Sequence, residues 1–133
     1  MAIYTEGRQM RIFISGPITG TKDYLERFAL AERELTRRGY AVINPAKVLA
    51  VVPVELSWNT CMDITLALLK ACDAVYMLKG WEQSAGATME HINAEKLGLE
   101  IMCEKEAADE FIPDDLYRVD DPPAADEVLG AEE

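Results

Sequence analysis

Glu90 and the residues just before it carry the plainest chemical suggestion in this chain. They lie in Ser84-Ala-Gly86-Ala-Thr-Met-Glu90, which follows a short apolar run ending in Leu78-Lys-Gly80-Trp81 and opens a helical pattern. This order puts a carboxylate one turn into a helix, at the strand-to-helix edge where open α/β sheets bind ligands. Ser84 can offer a hydroxyl there, and Gly86 lets a ligand approach exposed backbone N–H groups closely. A second carboxylate, Asp63, and the glycine-bracketed loop Ser15-Gly16-Pro17-Ile18-Thr19-Gly20 can converge on the same edge. Two carboxylates and a ligand cradle are the parts that cleavage at a sugar centre requires.

Each candidate also has a plainer reading. Glu90 could be a first-turn acid favoured by the helix dipole by ~0.3–1 kcal/mol. Asp63, also near a helix start, could serve as a cap or dipole partner. The loop 16–20 could simply connect two elements. It lacks the G-K-[ST] ending of a triphosphate-binding loop and the spacing of G-x-G-x-x-G. Asp73, at a helix-to-strand junction, reads as a maker of local backbone hydrogen bonds. His91, the only histidine, points about 100° around the helix from Glu90 and reads as a packing or surface residue. Trp58, Trp81 and Tyr76 read as core or pocket wall, with stacking on a base as a further use.

The elements that must position these groups follow from the apolar periodicity. Residues 11–15 read as a short buried strand. Over 23–38, Tyr24, Phe28, Ala31 and Leu35 recur at spacings of four, three and four, the pattern of one helix face, and Gly39 is placed to end it. Residues 40–44 read as a second strand closed by Pro45. The stretch 46–57 is apolar without a period, contains Pro53, and is expected to be a loop covering a pocket. A helix is expected over about 60–71 with Ile64, Ala67, Leu68 and Ala71 buried, then strand 73–78, helix 87–97 and strand 98–103. This alternation predicts a single-domain, Rossmann-like (flavodoxin-like) parallel sheet of four to five strands with helices on both faces and right-handed crossovers.

Charge and cysteine usage narrow the partners. Residues 1–103 hold 12 acids and 11 bases, whereas 104–133 hold 12 acids and 2 bases, so nearly all of the net charge of −11 belongs to the C-terminal stretch. Such a segment repels polyphosphate chains and makes polymeric nucleic acid an unexpected partner, while leaving a small nucleotide in a pocket open. The domain is expected over 11–112, with 1–10 as a leader and 113–133 as an acidic, mobile tail. Cys61, Cys72 and Cys103 form no C-x-x-C pair and leave an odd count, which argues against a disulfide framework or zinc site and fits the cytoplasm. No membrane segment is expected. The apolar segment 48–58 is poorly covered by one sheet of this size, and a homodimer or larger homo-oligomer is expected to cover it.

Taken together, Arg-Ile-Phe13-Ile-Ser-Gly-Pro-Ile-Thr-Gly, Gly-Tyr-Ala-Val-Ile-Asn-Pro, Asp63 followed by Ala-Cys-Asp73-Ala-Val, Gly-Trp-Glu-Gln-Ser84-Ala-Gly86-Ala-Thr-Met-Glu90-His and Ala-Glu-Lys-Leu-Gly resemble the nucleoside 2-deoxyribosyltransferase-like superfamily. The likeness covers roughly residues 11–103 and is closest to a small branch found in phages and bacteria. It implies that Glu90 is the nucleophile at sugar C1′ and that Asp63 orients or protonates the base. It also implies that Phe13, Gly16, Pro17, Ile18, Thr19, Gly20, Trp81, Ser84 and Gly86 contact a nucleoside or nucleotide, with neither metal nor cofactor. Phe13 stands where well-studied members have a tyrosine. Ser84 is similar to the 2′-deoxynucleoside 5′-monophosphate N-hydrolases, although the arginine of their first loop is Thr19 here. The implied activity is N-glycoside hydrolysis or 2-deoxyribosyl transfer. The alternatives are a nucleotide-binding or sequestering module without turnover, and a phosphoribohydrolase, whose usual P-G-G-x-G-T loop is absent.

Overall fold

The computed structural model describes residues 4–5 and 7–105. The tail 113–133, and the last part of the domain expected to reach residue 112, lie outside them. β1 (Tyr4–Thr5) and β2 (Arg8–Gln9) form a small antiparallel pair. They precede β3 (Arg11–Ser15), buried from Ile12 onward. Within the stretch 1–10, residues 4–5 and 8–9 make this pair, and Arg8 reaches Asp73 at 2.9 Å.

α1 (Tyr24–Arg37) buries Phe28, Ala31 and Leu35, the face given by its apolar spacing. It ends where Gly39 adopts φ 103, a left-handed conformation that costs a side-chain-bearing residue far more than glycine. β4 (Ala41–Ile43) and α2 (Pro45–Ala50) follow. α2 replaces the first part of the expected loop over 46–57. Asn44 accepts a hydrogen bond from the Lys47 N–H as its cap, and Pro45 occupies the first turn, where its missing N–H costs nothing.

α3 (Trp58–Leu69), capped by Ser57, buries Met62, Thr65 and Leu69. Of the face expected to be buried, Ala67 and Ala71 are exposed, whereas Ile64 and Leu68 are half-buried and Leu68 packs against the core. This helix is apolar on most sides, so two stripes at helical spacing compete, and the stripe that meets the sheet and its neighbouring helix wins. β5 (Ala74–Met77), a 3-10 turn (Trp81–Gln83), α4 (Ala85–Leu97) and β6 (Glu100–Cys103) complete the unit.

The four main strands are all parallel, in the order β4-β3-β5-β6. This is an α/β, Rossmann-like arrangement with helices on both faces. Strand alternation sorts the core. Ile12 and Ile14 pack with Phe28, Ala31 and Leu35 of α1 on one face, and Phe13 packs with Leu69 of α3 and Ala87 and Ala94 of α4 on the other. Ser15, two positions beyond Phe13, continues onto the α3–α4 side. The chain leaves β3 toward β4 on one flank and later returns to β5 on the other, so the strand order reverses between the carboxyl ends of β3 and β5. A crevice forms at such a reversal. Among the described residues, no helix is long and apolar enough to cross a membrane.

Candidate active site

The crevice holds a cavity of about 140 Å³. The loop after β3 contributes Gly16, Ile18 and Thr19, while Ser84, Gly86, Ala87 and Glu90 come from the start of α4. Trp58, Cys61, Met62 and Thr65 of α3 form another wall, and Phe28, Pro45 and Leu49 close it from α1 and α2. Six of the site residues expected from sequence thus meet here: Gly16, Ile18, Thr19, Ser84, Gly86 and Glu90.

Glu90 is 7 % exposed although it is an acid. The hydroxyl of Ser15, itself fully buried, donates a hydrogen bond to Glu90 Oε1 at 2.6 Å. Thr65 on α3 is a second hydroxyl partner of the carboxyl, and its single proton serves either Glu90 or the Met62 carbonyl, 3.3 Å away. Burial pushes the Glu90 carboxyl above its ordinary range, and the hydrogen bonds of Ser15 and Thr65 oppose that shift without cancelling it. No lysine, arginine or histidine is among the described residues lining the cavity. A carboxylate in this setting is a stronger base and nucleophile than a solvated one, and it complements positive charge that develops close by.

The loops reach Glu90 because two strand ends approach each other very closely. The Leu78 N–H donates to the Ser15 carbonyl at 2.8 Å. A Cβ on Gly16 would lie 2.8 Å from Leu78 Cβ, closer than side chains tolerate. Arg27 of α1 donates to the Lys79 carbonyl at 2.8 Å and ties the loop after β5 to the opposite face. Ser84 caps α4, its hydroxyl accepting from the Ala87 N–H at 3.1 Å. The first amides of α4, at Ala85 and Gly86, have no partner within their own helix and face this end of the fold.

Five expected contacts lie outside the lining. Phe13 is a fully buried core residue. Pro17 abuts Gly80, and Gly20 sits exposed within the turn closed by the Thr21 N–H to the Ile18 carbonyl. Trp81 stacks on His91 with ring centroids 4.4 Å apart and packs against the Phe13 side of the core. Asp63 is exposed on α3, one residue around the helix from Met62. Glu90 and Asp63 are therefore not assembled into a pair. Ser15 and Thr65, which hold the Glu90 carboxyl, are not among the site residues expected from sequence. Their signal was a polar residue at a position whose strand or helix period makes it buried.

Asp73 accepts from both guanidinium nitrogens of Arg8, at 2.9 and 3.0 Å, and from the Arg11 N–H at 2.8 Å. Its role is structural, but its partners come from far along the chain. Among the described residues, no group of three or more His, Cys, Asp or Glu side chains could hold a metal ion.

The profile of the family described as Domain of unknown function (DUF4406) matches residues 10–103. The chain belongs to the DUF4406 family. The DUF4406 span contains every residue that lines the cavity, together with Ser15 and the whole four-stranded sheet. No curated protein matches the chain.

Proposed function

We propose that this DUF4406 protein is an N-glycosidase of the nucleoside 2-deoxyribosyltransferase-like kind. It acts on a nucleoside or nucleoside 5′-monophosphate by hydrolysis or 2-deoxyribosyl transfer, with Glu90 as nucleophile. The single observation that carries the reading is Glu90 itself: a buried acid in a crevice wall, held by hydroxyls, with no cation among the described residues of that wall. A carboxylate oxygen attacks C1′, the N-glycosidic bond breaks, and its electron pair leaves on the base. Positive charge developing on the sugar is matched by the buried carboxylate. Ser15 fixes Oε1 and favours the ionised form, leaving the carboxylate oriented for attack. With Asp63 outside the lining, water supplies the proton taken up by the departing base. A second water, or an acceptor base, then takes the sugar from Glu90 and gives its own proton to the hydroxide left by the first, so the carboxylate is regenerated. The route calls for no cofactor.

The exposed position of Asp63 favours a second reading, a pocket that binds or sequesters a nucleotide without turnover. One experiment separates the two: incubation of the purified chain with ribo- and deoxynucleosides and their 5′-monophosphates, with free base followed by chromatography. Base release that Glu90→Ala abolishes upholds the glycosidase, and binding without release upholds the module. The same proposal includes a two-fold homodimer, supported by the exposure of Val51, Val54 and Trp58 at 77 %, 64 % and 48 %. Light scattering at micromolar concentration gives twice the chain mass if it is correct and the monomer mass if it is not.

A further inference from the structure

We infer that the cavity beside Glu90 selects an uncharged nucleoside over its 5′-monophosphate. The inference names the substrate class of the glycosidase proposed above and rests on that reading.

The argument is a charge inventory. The lining contains one carboxyl group, Glu90, and among the described residues no cation. Of the cations on the neighbouring helices, Arg27 donates to the Lys79 carbonyl, and Lys47 lies 3.4 Å from Glu32. Among the described residues of the lining, only hydroxyls and backbone amides could hold a phosphate buried here.

The amides best placed to do so begin α4, at Ala85 and Gly86. Gly86 and Glu90 are four residues apart on one helix, hence neighbours on one face at about 5–6 Å. A helix terminus strengthens anion binding by roughly fivefold at a surface and by about thirtyfold in a favourable, partly buried setting. Two like charges about 6 Å apart repel by the equivalent of roughly a hundredfold in affinity at an effective dielectric of 20. Repulsion wins, unless Glu90 takes up a proton and ceases to be the anion that cleavage needs. The start of α1, at the same edge, is no better for phosphate, because Asp23 occupies its cap position and Glu26 its first turn. A nucleoside meets none of these costs. Its hydroxyls suit Ser84, Thr19 and the α4 amides, and its base suits the apolar wall around Trp58, Met62 and Leu49.

The test is a calorimetric titration of the full chain with the four 2′-deoxynucleosides and the matching 5′-monophosphates, with released base measured on the same samples. At neutral pH the best nucleoside is expected to bind tenfold or more tightly than its monophosphate. Glu90→Gln, which removes the charge and keeps the shape, is expected to narrow that gap. Thr19→Arg, which adds a cation at an exposed position of the lining, is expected to narrow it as well. A monophosphate that binds as tightly as its nucleoside, or more tightly, overturns the inference, and base release from it leaves the glycosidase reading standing. Preferential nucleoside binding without base release upholds the selectivity and overturns the catalytic reading. Binding of neither class overturns both.

Discussion

Asp73 and Glu90 grip opposite ends of the same strand and do so by opposite means. At the amino end of β3, Asp73 accepts the Arg11 N–H and a two-pronged contact from Arg8. Its carboxyl is held below its usual range chiefly by the Arg8 hydrogen bond, against a smaller desolvation effect and with help from Arg11. At the carboxyl end, Glu90 accepts the Ser15 hydroxyl and meets no cation among the described residues of the cavity wall; burial dominates and raises its pKa. A carboxylate that stabilises a fold is supplied with positive charge. One left without it, at a crevice, is available to meet charge brought by a ligand. The contrast agrees with the pattern of parallel sheets, in which the amino edge serves stability and the carboxyl edge serves chemistry.

The largest effect expected from breaking this contrast is on turnover. Glu90→Ala should cut base release by roughly 10²–10⁴-fold or more while leaving the circular dichroism of the fold unchanged. Unaltered release in the variant refutes the nucleophile assignment. Next comes the shared strand between the two carboxylates. Gly16→Ala places a Cβ against Leu78 and should cost about 1–3 kcal/mol in urea unfolding, as an overpacked site does. A variant as stable as the parent would mean that β3 and β5 can separate there without cost.

At the amino edge, Asp73→Asn keeps the shape and loses the charge, for an expected loss of about 1 kcal/mol at neutral pH. Because the folded pKa of Asp73 is lowered, its stabilisation is present above the ordinary carboxylate range and disappears as pH falls through the folded value. The gap between parent and variant should therefore close in acid. Glu90→Gln sharpens the comparison by having the reverse sign. The folded pKa of Glu90 is raised, so the parent is favoured below the ordinary carboxylate range and loses that advantage as pH rises through the folded value. The variant's Tm relative to the parent should rise from acid to neutral pH, and a flat difference counts against a buried, ionising Glu90. The smallest effect is expected from Ser15→Ala. Loss of the hydroxyl raises the Glu90 pKa further, and the carboxyl resonance should titrate at higher pH by NMR than in the parent. An unmoved titration would remove Ser15 from its positioning role.

The sequence revealed most of this architecture wherever one period was unopposed. Residues 11–15, the Phe28–Ala31–Leu35 face and the order of helices and strands all follow from apolar spacing, and Glu90 follows from its place after a strand and a glycine-containing turn. Ambiguity entered where one residue type supports two structures. Asn44-Pro45 can close a strand or open a helix, and here it does both, which is why α2 was hidden in an expected loop. Along α3, apolar residues on several sides left the buried stripe undetermined, and a shift of one position separates lining Met62 from exposed Asp63. Trp81 could have faced a ligand, but His91, one turn and a half into α4, offers it a flat partner within the fold. Ser15 and Thr65 needed three-dimensional pairing: neither hydroxyl is distinctive until the strand and the helix bring it to Glu90.

The chain contains two tryptophans, and their surroundings make them separate optical reporters. Trp58 stands in the cavity wall with 48 % of its surface open to solvent, so an occupant that displaces water from the indole should shift its emission. Trp81 lies flat against an imidazole outside that wall and should remain nearly silent during the same titration. The protein therefore carries its own signal and its own reference, and binding can be followed without a dye, a label or a reaction.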